Sequence, residues 1–390
     1  RHCFVVDGQD RIQPHRSKLA LITHLPLQRS GGGVYAVSWQ IARQLQRHFS
    51  VQVPAPLTTP IDRAARLLSR IRRRVLRLPG SFFAFSPRVL RQVAGLVSAS
   101  MPADSQAAFF RSSTRWVGWR PDRPYFVHTD ACFHTFFHNT FQPREFLRSD
   151  LQRIWQAEAG FLDRAEAVFF ESAWGLEKAR QAYALSGRNF MVARVAGGIE
   201  PPPADLRTPD GRFRLITMAK HFQQKGGDLV GVAFKLLKPA WPQLTWHILG
   251  GPPPVDISSL PDVHYEGFLR PDLPDELQKM RTLLSTADLL VHPTREDTNP
   301  LVLPEAASFG CPCVSMRAFA IPELVADGET GLLIDPPGDA LAVADAIRSC
   351  LENPQRTALM RANARSRSLR YFSWDAVGDH MADVINQRLQ

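Results

Sequence analysis

Within Thr294–Gly310 (TREDTNPLVLPEAASFG) two carboxylates, Asp297 and Glu305, stand eight positions apart. The run Leu289–His292 ahead of them reads as a strand, so the chain leaves a sheet, makes an acidic loop and enters a helix stopped by Gly310. Carboxyl ends of strands in open α/β sheets are where ligands bind. A loop carboxylate such as Asp297 can accept hydroxyl groups of a sugar. One set a turn into the helix, Glu305, can accept both hydroxyls of a ribose. Between them a helix N-terminus offers backbone N–H groups and a positive dipole, which suit phosphate. Pro300 has no N–H to give, so Leu301 and Val302 are the better donors.

Further groups fall at the same kind of edge. Met218–Asp228 (MAKHFQQKGGD) follows a strand and opens a helix, which sets Lys220 and Lys225 at a carboxyl-end crevice. One lysine alone would read as solvated surface; two flanking a strand-to-helix turn beside an acidic loop read as an anion site. Gly31-Gly32-Gly33 closes the loop after a buried strand, Lys18–Thr23, and lacks the G-x-G-x-x-G spacing of a dinucleotide fold. His128-Thr129-Asp130-Ala131-Cys132-Phe133-His134 ends a third N-terminal segment.

The elements that must position these groups alternate. After Lys18–Thr23, the stripe Val34, Val37, Ile41 and Leu45 predicts a helix. Tyr125–Val127 and Ala167–Phe170 are strand-length apolar runs, and Pro201-Pro202-Pro203 is a stiff joint. Beyond it, strands are predicted at 214–218, 244–249 (ending on Gly250-Gly251), 263–265, 289–292 and 312–315. Helices are predicted at 226–237, 275–285, 304–309 and 340–351, with a last one over 372–389. The expected fold class is α/β: two Rossmann-like doubly wound parallel-sheet domains facing across a cleft. Residues 1–200 form the first domain, joined by a crossing helix at about 371–390, and 204–370 form the second.

On these residues the sequence resembles glycosyltransferase family 4, retaining enzymes of the GT-B fold. The resemblance rests on Asp297-x7-Glu305-Ala306 followed by Gly310-Cys311-Pro312-Cys313-Val314. It extends through Ile321-Pro322-Glu323-Leu324-Val325, Asp327-Gly328 and Thr330-Gly331-Leu332-Leu333. Upstream, Ser285-Thr286-Ala287-Asp288-Leu289 and Gly267-Phe268 fit as well, so most of 214–350 is covered.

The resemblance implies transfer of a sugar from a nucleotide diphosphate sugar with retention at the anomeric carbon. It assigns Lys220 and Lys225 to the donor diphosphate, Gly32 and Gly33 to a backbone turn beside the reacting sugar and phosphate, and backbone at Gly267-Phe268 to the base. Gly250, Asp297, Asn299, Leu301, Val302 and Glu305 complete the donor site. Asp130 is expected to face the donor sugar, with His128 and His134 as candidate sugar or acceptor contacts. Asp130, Lys225 and Asp297 are the expected catalytic residues. No D-x-D triplet occurs in the chain, so no metal and no cofactor are expected. The pattern departs from the family in three places: Asp at 297 with Glu296 beside it, Asn299-Pro300 in place of a Phe/Gly pair, and Arg317–Ala320 in place of glycines. These bear on which donor is used, for which uridine is expected ahead of guanosine.

Composition sets the outer bounds. The 390 residues are 44% hydrophobic and 22% charged, which builds a packed core, and Lys+Arg 47 against Asp+Glu 37 gives +10. That charge suits anionic substrates, membrane surfaces or nucleic acid without choosing among them. No apolar run reaches the ~18 residues of a spanning helix. Nothing near Arg1 reads as a secretion signal, and the five scattered cysteines (3, 132, 311, 313, 350) read as reduced thiols. A cytoplasmic protein is expected, at most peripheral to the inner membrane face. Residues Arg63–Arg77 carry seven arginines among Ala, Leu, Ile and Val. They are read as a solvated helix in a long insertion, ahead of a basic helix on anionic lipid or an acidic partner. Two other functions compete: a phosphorylase or epimerase on the same fold, and a non-catalytic basic protein that binds nucleic acid or an acidic polymer. The carboxylates and lysines at the cleft argue against the latter, so no nucleic-acid partner is expected. The acceptor is not legible.

Overall fold

The computed structural model describes residues 16–29, 32–204 and 210–390; Cys3 and Gly31 fall outside them. Apolar runs without polar alternation make parallel sheets, because helices then cover both faces. The first sheet contains β1 (Lys18–Ile22), β2 (Ser50–Gln52), β3 (Ala107–Arg111), β4 (Tyr125–Thr129), β5 (Ala167–Phe170) and β6 (Phe190–Val192), in the order β2-β1-β3-β4-β5-β6. The second contains β7 (Phe213–Ala219), β8 (Leu244–Gly250), β9 (Val263–Gly267), β10 (Leu289–His292), β11 (Cys313–Met316) and β12 (Gly331–Ile334), in the order β12-β11-β10-β7-β8-β9. All neighbours are parallel, with Ile22 opposite Phe110 and Leu289 opposite Leu215. The two doubly wound sheets agree with the expected fold class.

Each sheet reverses its winding once, between β1 and β3 and between β7 and β10. At such a switch point the flanking helices diverge and leave a crevice at the carboxyl ends. The glycine loop and Arg111 lie at the first crevice, the Lys220–Gly226 turn and the acidic loop at the second. The strand pattern thus brings together groups nearly three hundred residues apart.

Side chains alternate across each sheet. In the first, Ile22, Phe110, Val127 and Phe170 pack on one face with Trp116 and Phe161. Leu21, Phe109, Phe126 and Phe169 pack on the other, with Ile41 of the helix Gly33–His48 and Met381 and Ile385 of the terminal helix Trp374–Leu389. Met381 and Ile385 are fully buried, each worth about 1.5–3 kcal/mol by transfer. Polar contacts hold the same pair of helices: Gln44 Nε2 donates to Asp375 at 3.3 Å, and a His48 ring nitrogen lies 2.9 Å from Asp379. Trp374 Nε1 donates to Gly197 O at 2.8 Å where the chain crosses back to the first sheet.

Strands β2, β3, β6 and β12 and the helix Pro354–Tyr371 lie outside the predicted elements. Strands β2 and β6 are three-residue edge strands, too short for any periodicity. Strand β3, AAFFR, has two alanines and only two large apolar residues, a weak strand-length run. The arginine-rich segment does form a helix, Arg63–Arg74, capped by Asp62, which accepts from Ala65 N–H at 3.0 Å. It differs from a solvated amphipathic helix in orientation: its apolar side faces outward.

Candidate active site

The two switch points face each other across a cleft of about 590 Å³. Lys225 and Asp297 face it from neighbouring loops of the second domain. Lys225 Nζ donates to Asp297 Oδ2 at 2.6 Å and to the Glu296 carbonyl at 2.7 Å. The predicted anion-binding lysine is therefore held by the predicted sugar-binding carboxylate, and an entering phosphate would compete for it. Burial pushes the Asp297 carboxyl upward, but His292, whose Nε2 lies 3.8 Å away, and Lys225 outweigh it and hold it below the ordinary range. Asp297 lines the cleft and Glu296 does not, so the shorter carboxylate is the one presented. The loop is fastened to the lysine turn by Arg295, which binds Asp228 at 2.8 and 2.9 Å and donates its N–H to Gln224 O at 3.0 Å.

That turn depends on Gly226, at φ +79°, where an added Cβ would stand 2.2 Å from Pro293 O. Gly226→Ala is expected to cost about 1–3 kcal/mol from the backbone conformation and displacement of the acidic loop. A thermal melt should show a clear drop in Tm, and an unchanged Tm would contradict this packing.

Glu305 sits in the short helix Val302–Ser308 at the cleft floor. Its Oε2 accepts from Gly198 N–H at 2.8 Å, on the segment joining the domains. Burial raises its pKa to about 7, against the lowering by the Gly198 and Ile199 N–H groups and the nearby Arg29. Gly32, at φ +107°, and Gly33 bring the first domain's loop over the start of this helix, with a Cβ on Gly33 only 3.3 Å from the Leu301 side chain. Leu301, Val302, Lys220, Gly250, Phe268 and Asn299 also line the cleft; Gly267 does not.

Asp130 faces the cleft from the end of β4 and lies 3.4 Å from Thr298 Oγ1 of the acidic loop. The two histidines beside it do not line the cleft. His128, within β4, is fully buried, its Nδ1 3.6 Å from Glu171 and in contact with Arg111. His134 lies in the helix Phe133–Thr140, packed on His138 (4.1 Å) and Trp155 (4.8 Å). Contacts with Arg111 and Glu171 take up the first inside the domain, and the helix turns the second toward an aromatic cluster.

Sequence reasoning missed Glu171 and Arg111. Both end strands, β5 and β3, so the carboxyl-end rule applied to them as it did to Lys220. Glu171 is held by Arg111 and by Asn299 Nδ2, each at 3.4 Å. Burial lifts its pKa to about 7, against the lowering by Arg111. Asn299, one of the departures from the family pattern, thus bridges the domains through this carboxyl.

Two parallel sheets facing across a cleft lined from both switch points define a GT-B fold. Sucrose-phosphate synthase from Thermosynechococcus elongatus aligns over 95% of this chain and 99% of its own, with TM-score 0.70 and 17% identity, a likeness of fold. Residues 212–353 match the family model described as glycosyl transferases group 1. D-inositol 3-phosphate glycosyltransferase of Corynebacterium kroppenstedtii is 30% identical over 123 residues, 32% of this chain and 26% of that protein. The GDP-mannose-dependent alpha-(1-6)-phosphatidylinositol monomannoside mannosyltransferase of Mycolicibacterium smegmatis is 27% identical over 204 residues, 46% of this chain and 52% of that protein. The matches therefore span about a quarter to a half of these relatives.

Proposed function

We propose that the protein is a retaining glycosyltransferase of family 4, taking a sugar from a nucleotide diphosphate sugar without a metal ion. The observation that carries this is the convergence of Lys220, Lys225, Asp297 and Glu305 with Asp130 on one cleft at two facing switch points. In this reading the ribose hydroxyls donate to Glu305 and the diphosphate lies between Lys220, Lys225 and the N–H groups of Leu301 and Val302. Asp297 and Asp130 take sugar hydroxyls. The bond between the anomeric carbon and the phosphate oxygen breaks while the acceptor oxygen approaches on the same face. The acceptor's proton passes to the departing phosphate oxygen, and the two lysines stabilise the charge that develops there. UDP-sugars are favoured over GDP-sugars, although one relative is named GDP-mannose-dependent.

The acceptor enters from the first domain in this reading. Contacts between the domains include Glu323 accepting from Ala173 N–H at 2.9 Å and Trp174 N–H at 2.6 Å, and closure of the domains around the donor would exclude water. Cys132, Cys313 and Cys350 are buried free thiols, which suits a reducing cytoplasm. Proton NMR of the first product formed from an α-linked UDP-sugar and from GDP-mannose tests the reaction. An α product from one donor supports the assignment, whereas a β product or no turnover of any donor overturns it. Salt-dependent binding of nucleic acid without nucleotide-sugar binding would favour the non-catalytic alternative.

A further inference from the structure

We propose that the outward side of the helix Arg63–Arg74, with the residues that follow it to Leu78, docks on an anionic phospholipid bilayer. Ordinarily a surface helix turns its apolar stripe inward. Here the only buried residue of the helix is Ser69, whose hydroxyl donates to Ser81 O at 3.0 Å. Neighbouring polar groups complete the attachment: Arg72 Nε donates to Pro79 O at 2.9 Å, and Arg73 pairs with Glu145 and lies over the Phe146 ring. Leu67, Leu68, Ile71 and Val75 follow one another at i, i+1, i+4 and i+8, a single stripe on the side away from Ser69. Leu67 and Leu68 are each 60% exposed and Val75 72%, and Leu76 and Leu78 continue the exposed apolar surface.

The charges flank this stripe. Arg66, Arg70, Arg73 and Arg74 line a groove of about 440 Å³ beside Phe83. Among the described residues, no carboxylate lies within ion-pair distance of Arg63, Arg66, Arg70, Arg74 or Arg77. An apolar stripe bordered by unneutralised arginines matches the boundary of an anionic bilayer, where acyl chains take the leucines and headgroup phosphates the guanidinium groups. A soluble acidic polymer would leave the leucines in water, and a second copy would set these arginines against one another. No helix among the described residues is long and apolar enough to cross a membrane, so this is adsorption, not insertion.

The segment leading to the helix starts at the carboxyl end of β2. Along it, Leu57 N–H donates to Thr23 O at 3.0 Å and Thr59 accepts from Arg115. Residues 57–59 therefore run along the carboxyl edge of the first sheet, the edge that borders the cleft. Docking would bring that edge to the lipid surface.

The test is co-sedimentation of the full chain with phosphatidylglycerol/phosphatidylcholine vesicles and with pure phosphatidylcholine vesicles, at low and physiological salt. Strong binding to the anionic vesicles is expected, weakened by salt and at least tenfold weaker on phosphatidylcholine. Two double variants, L68Q/I71Q and R70Q/R74Q, should each lower anionic binding at least tenfold with an unchanged Tm, since all four side chains are exposed. Absence of binding to anionic vesicles at low salt would overturn the proposal. Binding indifferent to L68Q/I71Q would overturn it too, because charge alone would then account for it. So would a dimer in analytical ultracentrifugation that L68Q/I71Q dissociates, which would assign the stripe to a second copy.

Discussion

Glu305→Ala is expected to weaken nucleoside diphosphate binding by about 10²-fold, because two hydroxyl-to-carboxylate hydrogen bonds of about 1.5 kcal/mol each are removed. The same change strands the Gly198 N–H, which now donates to Glu305, so some loss of Tm accompanies it. Glu305→Gln keeps an acceptor for that N–H and separates the two effects. The pH dependence distinguishes them further. The carboxyl titrates near pH 7 in the folded chain, raised by burial from its ordinary 4.5. Between these values the folded state holds a proton that the unfolded state has released, so this group's contribution to stability falls as pH rises from 4.5 to 7 and is flat above. Glu171, also raised to about 7, adds in the same direction. Ribose hydroxyls donate to the ionised form, so the ratio of wild-type to Glu305→Gln affinity should rise between pH 6 and 8. Calorimetry across that range checks it, and unchanged affinity in Glu305→Ala would remove the ribose assignment.

Lys225→Ala is expected to lower kcat by about 10²–10³-fold, the usual loss when one preorganised group facing developing charge is removed. The effect on folding should be small, since the Lys225–Asp297 pair is partly exposed and such pairs contribute about 1 kcal/mol or less. The variant also deprives Asp297 of its cation, leaving only His292 near it. Part of the loss should therefore appear in KM for the sugar donor. Steady-state kinetics beside a thermal melt separates these terms. Activity near that of the wild type would show that the lysine stabilises only the free loop.

The second domain was legible because its signals are local. Strand β10, the acidic loop and the helix holding Glu305 are consecutive, and Lys220 and Lys225 follow β7 directly. The pairing of Lys225 with Asp297 was not legible, since it joins two loops more than seventy residues apart through the adjacency of β7 and β10. In the first domain, β2 and β6 are too short for periodicity, and β3 offers only two large apolar residues, Phe109 and Phe110, in AAFFR. Losing β3 also lost Arg111, and with it the network that fixes Glu171. His128 and His134 were drawn to the cleft by their closeness to Asp130 in sequence. His128 is instead taken up by Arg111 and Glu171, which lie at the ends of other strands, and the intervening Ala131-Cys132 leads into the helix that carries His134. The helix Arg63–Arg74 was recognised from its composition, but only packing decides which side of it faces the protein.

Isothermal titration of the wild type and Lys225→Ala with UDP, GDP and ADP, each with and without EDTA, tests the central claim most directly. Saturable binding of one diphosphate, unchanged by EDTA and weakened in Lys225→Ala, is the predicted result. Binding of none of the three, or binding abolished by EDTA, would contradict a metal-free nucleotide-sugar site in this cleft.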